Sequence, residues 1–151
     1  MMEAHPHKTL EEREREIVEE FELFDDWMDK YEHLIELGKS LPLIDERYKD
    51  DEHLIRGCQS QVWLQAEPDA DRLRFTADSD AIITKGLVSL MVRVLDGLPA
   101  KQIATAELDF VDEIGLHDHL SPTRSNGLRS MVKQMKLYGL AHAARLETKP
   151  T

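Results

Sequence analysis

Ile55-Arg56-Gly57-Cys58-Gln59-Ser60-Gln61-Val62-Trp63 contains the chain's only cysteine and reads as strand, tight crossing and strand. From Gln61 to Ala66, Val62, Leu64 and Ala66 alternate with Gln61, Trp63 and Gln65, the period-two pattern of a half-buried strand. His53 to Arg56 reads as a short strand before the crossing, which spans Gly57-Cys58-Gln59-Ser60. Glu67-Pro68-Asp69-Ala70-Asp71 reads as a turn. Arg72 to Ala77 then returns as a third strand, with Leu73, Phe75 and Ala77 facing the same way as Val62 and Leu64. The expected unit is a small antiparallel three-stranded sheet with one apolar face, which needs helices to cover it.

The flanking sequence supplies those helices. Thr9 and Glu12 have capping-box spacing, so a helix should start near Leu10. It carries Ile17, Val18, Phe21 and Phe24 as one stripe, with Glu and Arg on a solvated face. Asp25 or Asp26 caps a second helix with Trp27, Tyr31, Leu34 and Ile35, stopped at Gly38. Leu41 to Asp51 is a connection. Ser79 or Asp80 opens a third helix reaching about Asp96, with Gly86 in its interior either for close packing or merely tolerated. Short helices follow at Pro99 to Ala106 and Phe110 to Ile114, the second ended by Gly115. The last helix begins after Ser121, with Pro122 at its first position, or at Ser125. The result is one α+β domain over residues 9–147, with residues 1–8 disordered and 148–151 frayed.

The chain has 151 residues, enough for one domain with a real core. Its formal net charge of −11 argues against nucleic acid and against an anionic membrane surface. It suits a partner with a basic docking patch. No apolar run approaches the roughly 20 residues of a membrane span, and Met1-Met2-Glu3-Ala4-His5 is neither a secretory nor a transit signal. One cysteine cannot form an internal disulfide, so a cytoplasmic setting is expected. His5-Pro6-His7 and His117-Asp118-His119 lack the further ligands a metal site needs, so no metal is expected.

A lone cysteine is ordinarily a small core residue. Here its neighbours Gly57, Gln59 and Ser60 are small or polar, Gly57 leaves one flank of the sulfur open, and Arg56 brings a cation that favours thiolate. Core packing and reactivity therefore both stand from the residues alone. Trp63 points away from Val62 and Leu64, either to anchor a partner or to lie beneath the N-terminal helices. Asp80 either faces the sulfur or caps its helix.

Gly57-Cys58-Gln59-Ser60-Gln61-Val62-Trp63 resembles the signature of the SufE family, the cysteine desulfuration proteins of iron–sulfur cluster assembly. Asp78-Ser79-Asp80-Ala81-Ile82-Ile83-Thr84-Lys85-Gly86-Leu87 resembles that family's second block, and His119-Leu120-Ser121-Pro122-Thr123-Arg124-Ser125-Asn126-Gly127-Leu128 its third. The likeness runs from about Asp26 to Gly139. It implies the SufE fold, similar to that of IscU-like scaffolds, and a sulfur carrier rather than an enzyme. Cys58 would accept persulfide sulfur from a cysteine desulfurase similar to SufS or CsdA, stimulate it, and pass the sulfur to a scaffold. His119 and Arg124 would lie near the loop and help organise it. From their own positions in the chain, Trp63 and Asp80 are the candidates to meet the partner.

A cluster scaffold itself needs about four ligands, largely cysteines, so this chain should relay sulfur rather than hold a cluster. It has no glycine-rich phosphate loop and no recognisable pyridoxal-phosphate lysine. The chain is thus expected to use no cofactor of its own, with pyridoxal phosphate confined to the desulfurase. A different class of reading is a non-covalent activator of the desulfurase whose thiol is incidental. Monomer and homodimer both remain open.

Overall fold

The computed structural model describes residues 8–148. The expected loose ends fall almost wholly outside that range, as does His5-Pro6-His7. Helix α1 (Leu10–Glu22) starts at a complete capping box, the Thr9 hydroxyl accepting from the Glu12 amide and the Glu12 carboxylate from the Thr9 amide. Its buried stripe is Leu10, Arg13, Ile17 and Phe21. Arg13 departs from the expectation that the charged residues here face solvent. Its guanidinium donates to the carbonyls of Val94 (3.0 Å) and Asp96 (2.7 Å), placing a cation at the carboxyl end of a later helix, where the backbone dipole favours it.

Helix α2 (Trp27–Gly38) is capped by Asp26, whose carboxylate accepts from the Asp29 amide at 2.9 Å. Asp26→Ala should cost about 1 kcal/mol, read as a lowered urea midpoint at unchanged slope. An unaltered midpoint would show that this cap contributes nothing.

A single 3-10 turn (Glu46–Tyr48) precedes the sheet. Strands β1 (Val62–Asp69) and β2 (Arg72–Ser79) pair antiparallel, with Val62 opposite Ser79 and Asp69 opposite Arg72. The sheet has two strands, not three. His53 to Arg56 does lie along β1, with Ile55 N–H donating to Val62 O (2.8 Å) and Leu64 N–H to His53 O (2.9 Å). The chain leaves at Gly57, so only one bridge forms, Leu54 with Trp63, and no ladder develops. The hairpin turn is also tighter than expected. Ala70 at φ 55° lets both strands run on through Pro68 and Arg72.

Val62, Leu64, Leu73, Phe75 and Ala77 are all buried on one face. A two-stranded ribbon is marginal alone, and this one is covered by helix α3 (Ile82–Leu95), which touches α1, α2 and β2. Gly86 of α3 is there for proximity. A Cβ on it would stand 2.2 Å from the Leu34 carbonyl oxygen of α2, so the two backbones meet directly. Three short helices follow, α4 (Ala100–Thr105), α5 (Phe110–Glu113) and α6 (Leu116–His119), the last unforeseen because Gly115 at φ 78° restarts the chain at once. The long α7 (Pro122–Thr148) packs along α4 and reaches α3 and β1.

Candidate functional site

Cys58 sits where the crossing expected between strands leads into β1, and it is half-buried. Gly57 before it adopts φ 93°, a left-handed conformation that suits glycine. The space beside Gly57 is not left to the sulfur, however. A Cβ there would lie 2.5 Å from the Ser130 hydroxyl of α7. The residue that gives the sulfur room is Gly127, where a Cβ would stand 3.3 Å from Sγ. The thiol rests on that turn of α7 and donates weakly to the Gly127 carbonyl at 3.5 Å. Nothing in the local pattern around Gly127 signals this. Only its place in the third resembling block could have.

A cavity of about 350 Å³ opens beside the sulfur. Gln59, Ser60 and Val62 line it from the loop and β1, and Thr84, Leu87 and Val88 from the first turns of α3. Ser121, Thr123, Arg124, Leu128 and Met131 line it from α7 and the residue before it. Polar groups and apolar walls thus converge on a single thiol. Ser121 is the helix cap, its hydroxyl accepting from the Arg124 amide at 3.2 Å. Arg124 is exposed along its length and makes no ion pair among the described residues.

Burial pushes the Cys58 thiol above the ordinary range, and no neighbouring cation offsets it. The expectation that Arg56 favours thiolate is therefore corrected. Arg56 is exposed and exerts no resolved pull on the sulfur. Alkylation of Cys58 by iodoacetamide should trail that of the unfolded chain and gain rate only as pH climbs past the usual thiol range. Equal rates for folded and unfolded chain at neutral pH would contradict a shielded, protonated thiol.

The other candidates lie elsewhere. His119 stacks on Trp27, with ring centroids 4.0 Å apart and planes 16° from parallel, and its carbonyl accepts from the Tyr31 hydroxyl. It is not among the residues lining the cavity. Asp80 neither reaches the sulfur nor caps α3, whose cap position is Ala81 without a side-chain bond. Its carboxylate accepts from the Gln61 amide at 3.0 Å and its own amide donates to Gln61 O at 3.2 Å, closing the open end of the hairpin. Trp63 is half-buried on the polar face of the hairpin, with Lys49 Nζ 5.4 Å from its ring centroid.

Sequence reasoning missed Asp78, the residue directly across the hairpin from Trp63. Desolvation pushes its carboxyl up, but hydrogen bonds from Lys49, the Ser79 amide and Lys85 outweigh this and hold it below the usual carboxylate range.

The decisive comparison is with the family model of the SufE Fe-S metabolism associated domain, which matches residues 15–139. The chain belongs to the SufE family. An uncharacterized SufE-like protein of Rhizobium etli is 41% identical over 134 residues, covering 85% of this chain and 90% of that one. One from Rhizobium meliloti is 40% identical over 126 residues, covering 80% and 90%. A SufE-like protein of Arabidopsis thaliana, named chloroplastic/mitochondrial, is 40% identical over 132 residues, which is 87% of this chain but 36% of the plant protein. The solution structure of a hypothetical protein from Thermus thermophilus superposes with TM-score 0.72 at 16% identity, over 87% of this chain and 96% of that one, and so shares the fold. SufE membership places the chain in iron–sulfur metabolism. No helix among the described residues is long and apolar enough to cross a membrane.

Proposed function

We propose that the chain is a sulfur carrier, taking sulfane sulfur from a cysteine desulfurase onto Cys58 and handing it to an iron–sulfur scaffold. The observation that carries this reading is the only thiol of the chain lining a cavity in a SufE domain. In the transfer, the Cys58 thiolate attacks the outer sulfur of the desulfurase persulfide. The S–S bond to the desulfurase breaks, its cysteine leaves as thiolate, and a new S–S bond forms at Cys58. Two electrons move with the bond, and nothing is oxidised or reduced overall. Removing the product sulfur frees the desulfurase for another turnover, and any pyridoxal phosphate belongs to that enzyme.

Arg124, which lines the same cavity without an ion-pair partner among the described residues, favours the anionic persulfide once it forms. The half-burial of the thiol at the cavity wall shields a loaded persulfide from stray thiols. Intact mass after incubation with a desulfurase and cysteine, without reductant, tests the proposal: the wild type should gain sulfur at Cys58.

The raised thiol also favours a second reading, in which the chain binds and activates the desulfurase without accepting sulfur. Full stimulation by a variant lacking the thiol would select it.

A further inference from the structure

A second groove, of about 470 Å³, runs along the opposite flank of α7 from the sulfur and shares only Leu128 with the Cys58 cavity. Its floor is Leu108, Val111, Leu128 and Val132, and its lip is Leu137 and Leu140, which remain 46% and 58% exposed. Arg129, Lys133 and Lys136 form the rim, and none of them makes an ion pair among the described residues. This is unusual for a chain of formal net charge −11. From His119 to Leu146 the sequence carries Arg124, Arg129, Lys133, Lys136 and Arg145 and no acidic residue, so positive charge is concentrated on the helix that flanks the groove.

We propose that this groove docks an acidic amphipathic helix of a partner protein, its apolar stripe on the floor and its carboxylates on the cationic rim. The groove spans Leu128 to Leu140, about 18 Å or three helical turns, a length suited to anchors at helical spacing. It is lined by helical and loop residues and presents no strand edge, so an added β-strand has nothing to pair with. An anionic bilayer fits less well, because the rest of the chain would be repelled from it. A second copy fits less well too, since the chain's own acidic helix, α1, already buries its apolar stripe in the core. The proposal is independent of whether Cys58 accepts sulfur.

The test is a titration of the full chain with a synthetic helix of about 18 residues, a leucine stripe flanked by glutamates, followed by anisotropy and by backbone amide shifts. A lysine-flanked peptide with the same stripe and phosphatidylglycerol vesicles serve as controls. Saturable binding of the glutamate peptide is expected, with shifts confined to residues 104–111 and 128–140. The variant Arg129→Glu/Lys133→Glu/Lys136→Glu should weaken it about tenfold or more. Leu140→Ser, at an exposed position that leaves the core intact, should weaken it severalfold even if the triple variant folds poorly. Failure of the glutamate peptide to bind, equal binding of the lysine peptide, shifts mapping elsewhere, or binding of vesicles alone would overturn the proposal. So would a concentration-dependent dimer that the charge reversal abolishes and the peptide does not disturb.

Discussion

Cys58→Ser should abolish sulfur uptake and with it any stimulation of a desulfurase that depends on removing product sulfur. The chain has no other cysteine, so no second thiol can substitute. Serine keeps the size of the side chain and its place against Gly127, so folding should change by no more than about 1 kcal/mol. Its hydroxyl cannot supply the thiolate that attacks a sulfane sulfur. The measurement is paired, intact mass for the added sulfur and alanine release for turnover, with thermal unfolding as control. Loss of both with an unchanged unfolding midpoint is the expected result. A Cys58→Ser protein that stimulates as well as the wild type would end the relay mechanism and leave the non-covalent activator.

The second large effect is on stability, at a residue remote from any chemistry. Gly86→Ala places a methyl group on an interior helical position, where it ordinarily adds about 1 kcal/mol of stability. Here its Cβ would fall 2.2 Å from the Leu34 carbonyl oxygen and 2.7 Å from the carbonyl carbon, both backbone atoms that no rotamer change can move. Helix α2 must retreat from α3, opening the core on both sides. The net outcome is a loss of about 3 kcal/mol or more, near 10 °C in the unfolding midpoint of a chain this size. Gly139→Ala meets α4 backbone at 2.8 and 2.9 Å and should lose less. A Gly86→Ala protein more stable than the wild type would mean the two helices have ample room to separate.

How much of this was legible in the sequence depended on whether the signal was local. Thr9 with Glu12, Asp26, and the alternation through Val62, Leu64, Leu73 and Phe75 act within a few residues, and each is realised in the structure. The third strand was misread because four residues of suitable composition say nothing about where the chain turns next, and here it leaves after one bridge. At the site, the small and polar neighbours of Cys58 left core packing and reactivity both open, and the structure finds the thiol half-buried at a cavity wall. The charge of Arg56 misled because adjacency in sequence is not proximity in space, and its side chain turns to solvent. Gly127 was invisible, since a glycine inside a helix has no local signature and its role exists only when another segment comes to rest on it. His119 was drawn away by an aromatic partner, Trp27, that lies far off in sequence.

The edges of the hairpin carry one more consequence. Along β2 the outward-facing backbone groups are taken in turn: Leu73 by Gly97 and Leu98, Phe75 by the Asp96 carboxylate, and Ala77 by Pro42 and Ile44. Along β1, Val62 and Leu64 are taken by Ile55 and His53, and farther out Pro68 has no N–H to offer. Unsheathed ribbons invite other chains to zip on and grow into aggregates. This one is sheathed by loop along β2 and at the start of β1, so an approaching strand finds little to pair with over those stretches.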